Sequence, residues 1–199
     1  MKVLIVGATG IIGRAVMGEL GQRHEIITAG RSSGDLRVDI THIESIRAMF
    51  EQAGRVDAVV AATGKVKFAP LEAMTAADYE IGLKDKLMGQ VNLVLVGRDH
   101  VTNGGSFTLT TGVLDHDPIV QGSSASMVNG AVNAFVVAAA IEMAHGQRIN
   151  AVSPGVIEEA LPGYGPFFRG FLPVPAARAA LAYARSVEGA QTGQVYRVL

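Results

Sequence analysis

The feature that most constrains the fold is a glycine-rich turn that follows the first apolar run of the chain. Residues 3–6 are all apolar and lead directly into Gly7-Ala8-Thr9-Gly10-Ile11-Ile12-Gly13. Apolar side chains then recur at helical spacing, so the turn is predicted to join a buried strand to an amphipathic helix. Glycine tolerates positive φ and lets other chain segments approach closely. The sequence therefore predicts a tight strand–turn–helix unit at its start.

Strand and helix patterns alternate along the rest of the chain. Short runs rich in β-branched residues are the strand candidates: residues 2–6, 25–29, 56–61, 106–110, 149–152 and 194–199. Helix starts are indicated at Gly10, at Thr41 with a capping box to Glu44, at Thr75 with Asp78, near Ser124 and at Pro175. This alternation predicts an α/β fold: a single-domain, doubly wound parallel sheet of about seven strands in three α/β/α layers.

Composition excludes several classes of function. The 199 residues carry a formal net charge of −1, so we expect neither nucleic acid nor a membrane surface as a partner. The chain has no cysteine, which removes disulfides and thiolate chemistry and fits a cytoplasmic location. The longest apolar stretch, residues 131–144, is interrupted by Asn133 and Glu142 and is read as a buried helix. His116 lies in a polar loop, and no metal site is predicted.

The glycine turn predicts a binding site for a dinucleotide. The first N–H groups of a helix and the helix dipole favour an anion, and glycines let the backbone approach a pyrophosphate. The residues expected to contact the cofactor in this turn are Gly7, Thr9, Gly10, Ile11, Ile12 and Gly13.

The end of the second strand indicates which dinucleotide is bound. An acidic residue there would bind the ribose of NAD, but the chain has Arg31, Ser32 and Ser33. A guanidinium can bind a 2′-phosphate through two hydrogen bonds, so NADP is preferred over NAD. Further cofactor contacts are expected from Asp39 and Ile40 at the adenine edge and from Ala61, Ala62, Thr63 and Gly64 in the crevice.

Over nearly its whole length the chain resembles the short-chain dehydrogenase/reductase superfamily. The matching motifs are residues 7–13, 39–41, 61–64, 104–106, 124–126, 150–155 and 192–195. The resemblance implies a Rossmann-type domain that uses NAD(P) to reduce carbonyls or oxidise alcohols, with Pro154, Gly155 and Val156 beside the nicotinamide. It also implies a small substrate lid at residues 156–173. A homodimer or homotetramer through the two long middle helices is expected.

The chain departs from the family at its catalytic positions. The family's tyrosine and lysine positions fall on Ser123 and Met127, and no Tyr-x-x-x-Lys exists anywhere in the sequence. The serine position falls on Thr110 or Thr111, and the asparagine position on Lys86. In this combination the chain resembles a short subgroup of the family that lacks the usual catalytic residues.

Lys86, Thr110 and Ser123 are therefore the catalytic candidates, although Lys86 also suits a solvated helix face. Two functions stay open on the sequence. One is an NADP-dependent oxidoreductase that acts on an unknown small carbonyl or alcohol through a non-standard active site. The other is a non-catalytic NADP(H)-binding redox sensor or regulatory protein.

Overall fold

Seven parallel strands form one sheet in the order β3-β2-β1-β4-β5-β6-β7 in the computed structural model, which describes residues 1–199. The strands are β1 Lys2–Val6, β2 Glu25–Gly30, β3 Leu36–Arg37, β4 Val56–Ala61, β5 Val101–Thr110, β6 Arg148–Pro154 and β7 Val195–Val198. The helices are α1 Ile11–Leu20, α2 Ile43–Ala53, α3 Ala76–Gly82, α4 Met88–Gly97, α5 Ser123–Ala140, α6 Leu161–Tyr164 and α7 Ala176–Glu188. The predicted seven-stranded α/β architecture is confirmed.

Two apolar clusters cover the two faces of the sheet. One has 21 buried residues and lies under α2, α4 and α5, and the other has 13 and lies under α1 and α7. α5 has the length and mean hydropathy, 1.2, of a membrane-spanning helix, but one of its faces packs in the first cluster through Val132 and Val136. Helices cover both faces of the sheet, because the β-branched strands carry apolar side chains on both faces.

The chain runs from β2 to β3 without a helix. β3 has only two residues, and its partners in β2 are Ala29 and Gly30. The segment after Arg31 is too short for a crossover helix, as the sequence indicated. The predicted capping box at Thr41 is wrong, because the Thr41 hydroxyl and N–H both donate to Asp39 and His42 is the N-cap of α2. The second predicted capping box, at the start of α3, is confirmed.

α3 and α4 form one continuous helical segment joined by a π-helical turn at Leu83–Leu87. One face of this segment contacts the ends of the central strands. The Gln90 amide pairs with both backbone groups of Thr110 at the end of β5, at 2.8 and 2.9 Å, and also donates to the Lys86 carbonyl at 2.9 Å. A fully buried amide with three hydrogen bonds holds this helical segment in register with the sheet.

The glycine turn brings the ends of β1 and β4 together. Gly7 has a φ of +88°, and a Cβ on it would lie 2.5 Å from the Ala62 carbonyl oxygen. A Cβ on Gly13 would lie 2.1 Å from the Gly7 carbonyl oxygen. Both positions therefore require glycine, and the result is that α1 begins directly above the carboxyl ends of two adjacent strands.

Candidate cofactor and active site

A cleft of about 350 Å³ opens at the carboxyl ends of β1, β2 and β4. It lies where the strand order reverses between β1 and β4, which is the usual ligand position in a doubly wound sheet. Predicted cofactor residues form most of its lining: Gly7, Thr9, Gly10, Arg31, Ser32, Ser33, Ile40, Ala62, Thr63 and Gly64. Val6, Gly30, Val38, Lys65 and Asp85 complete it.

The start of α1 presents unpaired donors at this cleft. Gly10 is the N-cap and supplies no side-chain cap, and the N–H groups of Ile11, Ile12 and Gly13 have no acceptor within the chain. Free helical N–H groups above a cradle that a Cβ would fill are suited to a pyrophosphate. The residues present therefore fit a dinucleotide, although only Gly10 of these four also lines the cleft.

Arg31 lines the cleft where the adenosine of a dinucleotide is expected, with 62% of its side chain exposed. Its Nη2 and Nε lie 3.2 Å from the Asp39 carboxylate, and its Nη2 lies 3.6 Å from Asp85 Oδ2. Hydrogen bonds from Thr41, together with the Arg31 charge, hold the pKa of Asp39 below its usual value. The two carboxylates fix the guanidinium over the cleft, and its Nη1 has no acceptor within the chain.

Asp39 thus acts on Arg31 and does not itself line the cleft, while the neighbouring Ile40 does. Asp85 is a cleft residue that the sequence analysis missed. Besides facing Arg31, it accepts a hydrogen bond from the Lys65 N–H at 2.8 Å and so fixes the loop after β4. Asp85 directly precedes Lys86, a predicted site residue, and this adjacency was the signal in the sequence that could have identified it.

Lys86 lies at the inner end of the site. Its side chain packs on Gly64, where a Cβ would approach Lys86 Cγ to 2.5 Å, and its Nζ donates to the Thr111 carbonyl at 3.2 Å. Burial lowers the pKa of the Lys86 ammonium from 10.5 to about 8. No carboxylate pairs with it, so Lys86 is a cation beside the crevice that can lose its proton near neutral pH.

Ser123 is the first residue of α5, and its hydroxyl lies 2.9 Å from the Tyr79 hydroxyl. Both residues are half-buried. The sequence analysis did not identify Tyr79 as a site residue, because it belongs to α3 and is far from the family's tyrosine position. A helix start at Thr75 and an i, i+7 spacing from Tyr79 to Lys86 would have placed both on one helical face.

Thr110 faces the core rather than the crevice. Its hydroxyl lies 2.6 Å from both the Ala61 carbonyl and the hydroxyl of Tyr183, which is fully buried on α7. Burial raises the pKa of Tyr183 well above its usual value. Thr110 and Ala61 therefore connect the sheet to the α7 layer, and the adjacent Thr111 contributes its carbonyl to Lys86.

The end of β6 borders the expected nicotinamide position, and some of the backbone hydrogen-bonding groups that follow it already have partners within the chain. The Gly155 N–H donates to Val198, and the Val156 carbonyl accepts from Val174. Pro154 ends β6, and the Val156 N–H has no acceptor within the chain. Glu159, where the family often has a threonine near the phosphates, instead accepts the Ala176 N–H at 2.9 Å and caps α7.

The loops after β4, β5 and β6 meet in a small apolar cluster. Its buried members are Val113, Leu114, Ala125, Val156 and Phe168, and Val66, Phe68, Ile119, Leu161, Phe167 and Phe171 pack against them. Phe68 and Tyr164 contact edge to face with ring centres 5.7 Å apart. Residues 156–173 thus lie against the other two loops through aromatic side chains.

This fold and cleft define a dinucleotide-binding α/β protein, and the comparisons identify its family. A family profile described as "Enoyl-(Acyl carrier protein) reductase" matches residues 12–198. The chain is therefore a member of this family, within the short-chain dehydrogenase/reductase superfamily. It is an oxidoreductase of the short-chain dehydrogenase/reductase type.

Similar proteins cover the whole chain. The crystal structure of the protein lin1944 from Listeria innocua is 56% identical, covers 100% of both chains and has a TM-score of 0.99. A small-chain dehydrogenase solved in complex with NADPH is 24% identical over 100% of this chain and 96% of its own, with a TM-score of 0.88. "Hydroxynaphthalene reductase-like protein Arp2" from Metarhizium majus is 25% identical over 78% of this chain and 67% of its own length.

Replacing Lys86 should stabilise the fold in a pH-dependent way. The pKa of Lys86 is lower in the folded chain than in the unfolded chain, so its charge destabilises the fold below pH 8. This cost disappears as the pH rises from about 8 to above 10.5. We expect Lys86→Met to raise Tm at pH 7 by about 2–4 °C for each kcal/mol regained.

Differential scanning fluorimetry at pH 7 and pH 10 measures this effect. Lys84→Met is the matched control, because Lys84 is exposed on the same helix and pairs with Glu80 at 2.6 Å. A Tm gain of equal size at both pH values, or a gain of equal size in the control, would contradict the desolvation of Lys86.

Proposed function

We propose that the protein is an NADP(H)-dependent oxidoreductase that interconverts a small carbonyl and the corresponding alcohol through a non-standard active site. The observation that carries the proposal is the joint placement of Arg31, Ser32 and Ser33 with the glycine turn in one cleft. The NADPH-bound structural neighbour agrees with this choice at 24% identity. Asp85 is the one carboxylate that lines the cleft, and it pairs with Arg31, as does the neighbouring Asp39. NADP is therefore preferred over NAD.

The chain's own residues bind and orient the reactants. The N–H groups of Ile11, Ile12 and Gly13 bind the pyrophosphate, and Arg31 binds the 2′-phosphate. Bound NADPH supplies a hydride. Lys86 places an ammonium between the end of β4 and Thr111, where it can bind the ribose hydroxyls or a substrate oxygen.

The apolar cluster of the three loops sets the class of substrate. Phe68, Tyr164 and Phe168 supply aromatic surface above the end of the sheet, and residues 156–173 carry most of it. Such a wall excludes water and favours a substrate with an apolar body next to its carbonyl. We therefore propose a small, largely apolar carbonyl compound, held by a lid at residues 156–173.

The cofactor choice is tested by replacing the guanidinium. Arg31→Ala should weaken NADPH binding roughly 10- to 100-fold, because charge-assisted hydrogen bonds to the 2′-phosphate contribute about 1.5–3 kcal/mol. The affinity for NADH should change less than about twofold, since NADH lacks that phosphate. Fluorescence titration of both nucleotides measures this. Arg47→Ala is the control, as Arg47 is exposed on α2 and pairs only with Glu44. Equal affinities of the wild type for NADH and NADPH would contradict the proposal.

Turnover is tested with defined probes. Purified protein should oxidise NADPH, followed by its absorbance, in the presence of 1-phenyl-1,2-propanedione, an aliphatic aldehyde or an aliphatic ketone. Lys86→Met should slow this reaction at least tenfold or weaken NADPH binding, since positioned proton-transfer groups contribute about 10²–10⁴ in rate. If NADPH binds and no probe is reduced, the proposed reaction is wrong and a binding role is left.

We also propose that two copies of the chain associate through α4 and α5. These helices expose apolar side chains on their outer sides, among them Leu95, Met127 and Val137, and Ile141 follows α5 with 87% exposure. Burying such a stripe against a second copy would remove it from water. A cytoplasmic site of action is proposed on the absence of cysteine alone.

The association is tested by placing charges on this apolar surface. Val137→Asp together with Ile141→Asp should yield a monomer of 20.8 kDa in light scattering, whereas the wild type should have at least twice this mass. Leu181→Asp is the control, because Leu181 is 57% exposed on α7 at the opposite face of the sheet. A monomeric wild type would refute the proposal.

A further inference from the structure

A hydrogen bond between Tyr79 and Ser123 joins α3 to the first residue of α5. Their hydroxyl oxygens are 2.9 Å apart, and neither oxygen has another partner within the chain. Each group keeps hydrogen-bonding capacity for a third molecule, since a hydroxyl donates once and accepts twice. Both residues are half-buried, so the pair is partly accessible to solvent.

Contacts along the helical segment show that Tyr79 shares a face with Lys86. A Cβ on Gly82 would lie 3.2 Å from Ser124 Oγ, next to Ser123 on α5. One turn further, Lys86 donates to the Thr111 carbonyl, and beyond it Gln90 binds Thr110. The face that presents the phenol therefore continues to the ammonium and to the ends of β4 and β5. Tyr79 and Ser123 lie at the outer end of this line.

The chemistry of the two hydroxyls is complementary. A serine hydroxyl alone is a weak acid and a poor proton donor near neutral pH, whereas a phenol is a stronger one. Ser123 stands where the resemblance places a tyrosine, and the chain brings a phenol to the Ser123 oxygen from a different helix. The pair thus combines the small Ser123 hydroxyl, which can contact a substrate oxygen, with the more acidic Tyr79 phenol that is hydrogen-bonded to it.

We propose that Tyr79 and Ser123 form a two-residue proton relay for the carbonyl oxygen of the substrate, which rests on the proposed function. In reduction, the nicotinamide hydride adds to the carbonyl carbon and the π electrons of the C=O bond move to its oxygen. That oxygen takes the Ser123 hydroxyl proton, and Ser123 takes the proton of Tyr79. Solvent returns a proton to the phenolate. Oxidation of an alcohol runs the same transfers in reverse.

Ser123 is the group that contacts the substrate, and Tyr79 is a positioning residue that acts through it. Tyr79→Phe keeps the ring and removes only the hydroxyl. With NADPH and 1-phenyl-1,2-propanedione we expect kcat to fall about 100-fold, while KM and the Kd of NADPH stay within about twofold. Tyr196→Phe is the matched control, because it removes a phenol that bonds Gln191 on the far side of the fold.

A double-mutant cycle distinguishes the relay from two independent effects. Ser123→Ala should lower kcat as much as Tyr79→Phe, and the double variant should be no slower than either single variant, because each change interrupts the same transfer. In the cofactor-free protein, Ser123→Ala should also change the near-ultraviolet absorbance of Tyr79, and this change should be absent in the Tyr79→Phe background.

The outcomes separate this proposal from the proposed function. A Tyr79→Phe variant with wild-type kcat, or additive losses in the double variant, overturns the relay and leaves the NADP(H) proposal intact. A parallel fall in Tm, NADPH affinity and kcat in Tyr79→Phe assigns a structural role and also overturns the relay. A wild type that fails to bind NADPH overturns the proposed function and the relay with it.

Discussion

The close approach of the ends of β1 and β4 is the contact on which the rest of the site depends. At Gly7 the two chain segments lie so near each other that a single Cβ would meet the Ala62 carbonyl. This approach sets where α1 begins and leaves its first N–H groups without acceptors. The chain continues from β4 into Thr63 and Gly64, so the start of α1 and the wall of the crevice are positioned by one backbone contact.

A second helical layer completes the crevice from the other side. The segment from α3 to α4 contributes Asp85 to the adenosine end and Lys86 to the inner end, with its carboxylate and ammonium on successive residues. A π-helical turn contains both residues, and such turns occur often at functional sites. On either side of this turn, Tyr79 on α3 contacts Ser123 at the start of α5, and Gln90 on α4 contacts Thr110 at the end of β5.

Much of this arrangement was predictable from the sequence because it depends on local patterns. The strand before Gly7, the run of Arg31, Ser32 and Ser33 and the absence of a helix after β2 each follow from a few consecutive residues. The partners of Ser123 and Thr110 were not predictable, because Tyr79 and Tyr183 come from distant helices. Thr110 itself was misjudged as a crevice residue, since the sequence does not show which side of a buried strand end a hydroxyl takes.

The side chain of Gln90 has a mechanical consequence. By bonding both backbone groups of Thr110 it behaves like a one-residue strand added at the end of β5, and it also bonds the Lys86 carbonyl. The end of β5 and the helical turn that carries Lys86 are therefore held together at the floor of the crevice. Residues 156–173, the proposed lid, are closed at their base by the bridge between Ile157 and Val174 and lie against the neighbouring loops through side chains. If residues 156–173 act as the proposed lid, the position of the ammonium does not depend on how far that lid opens.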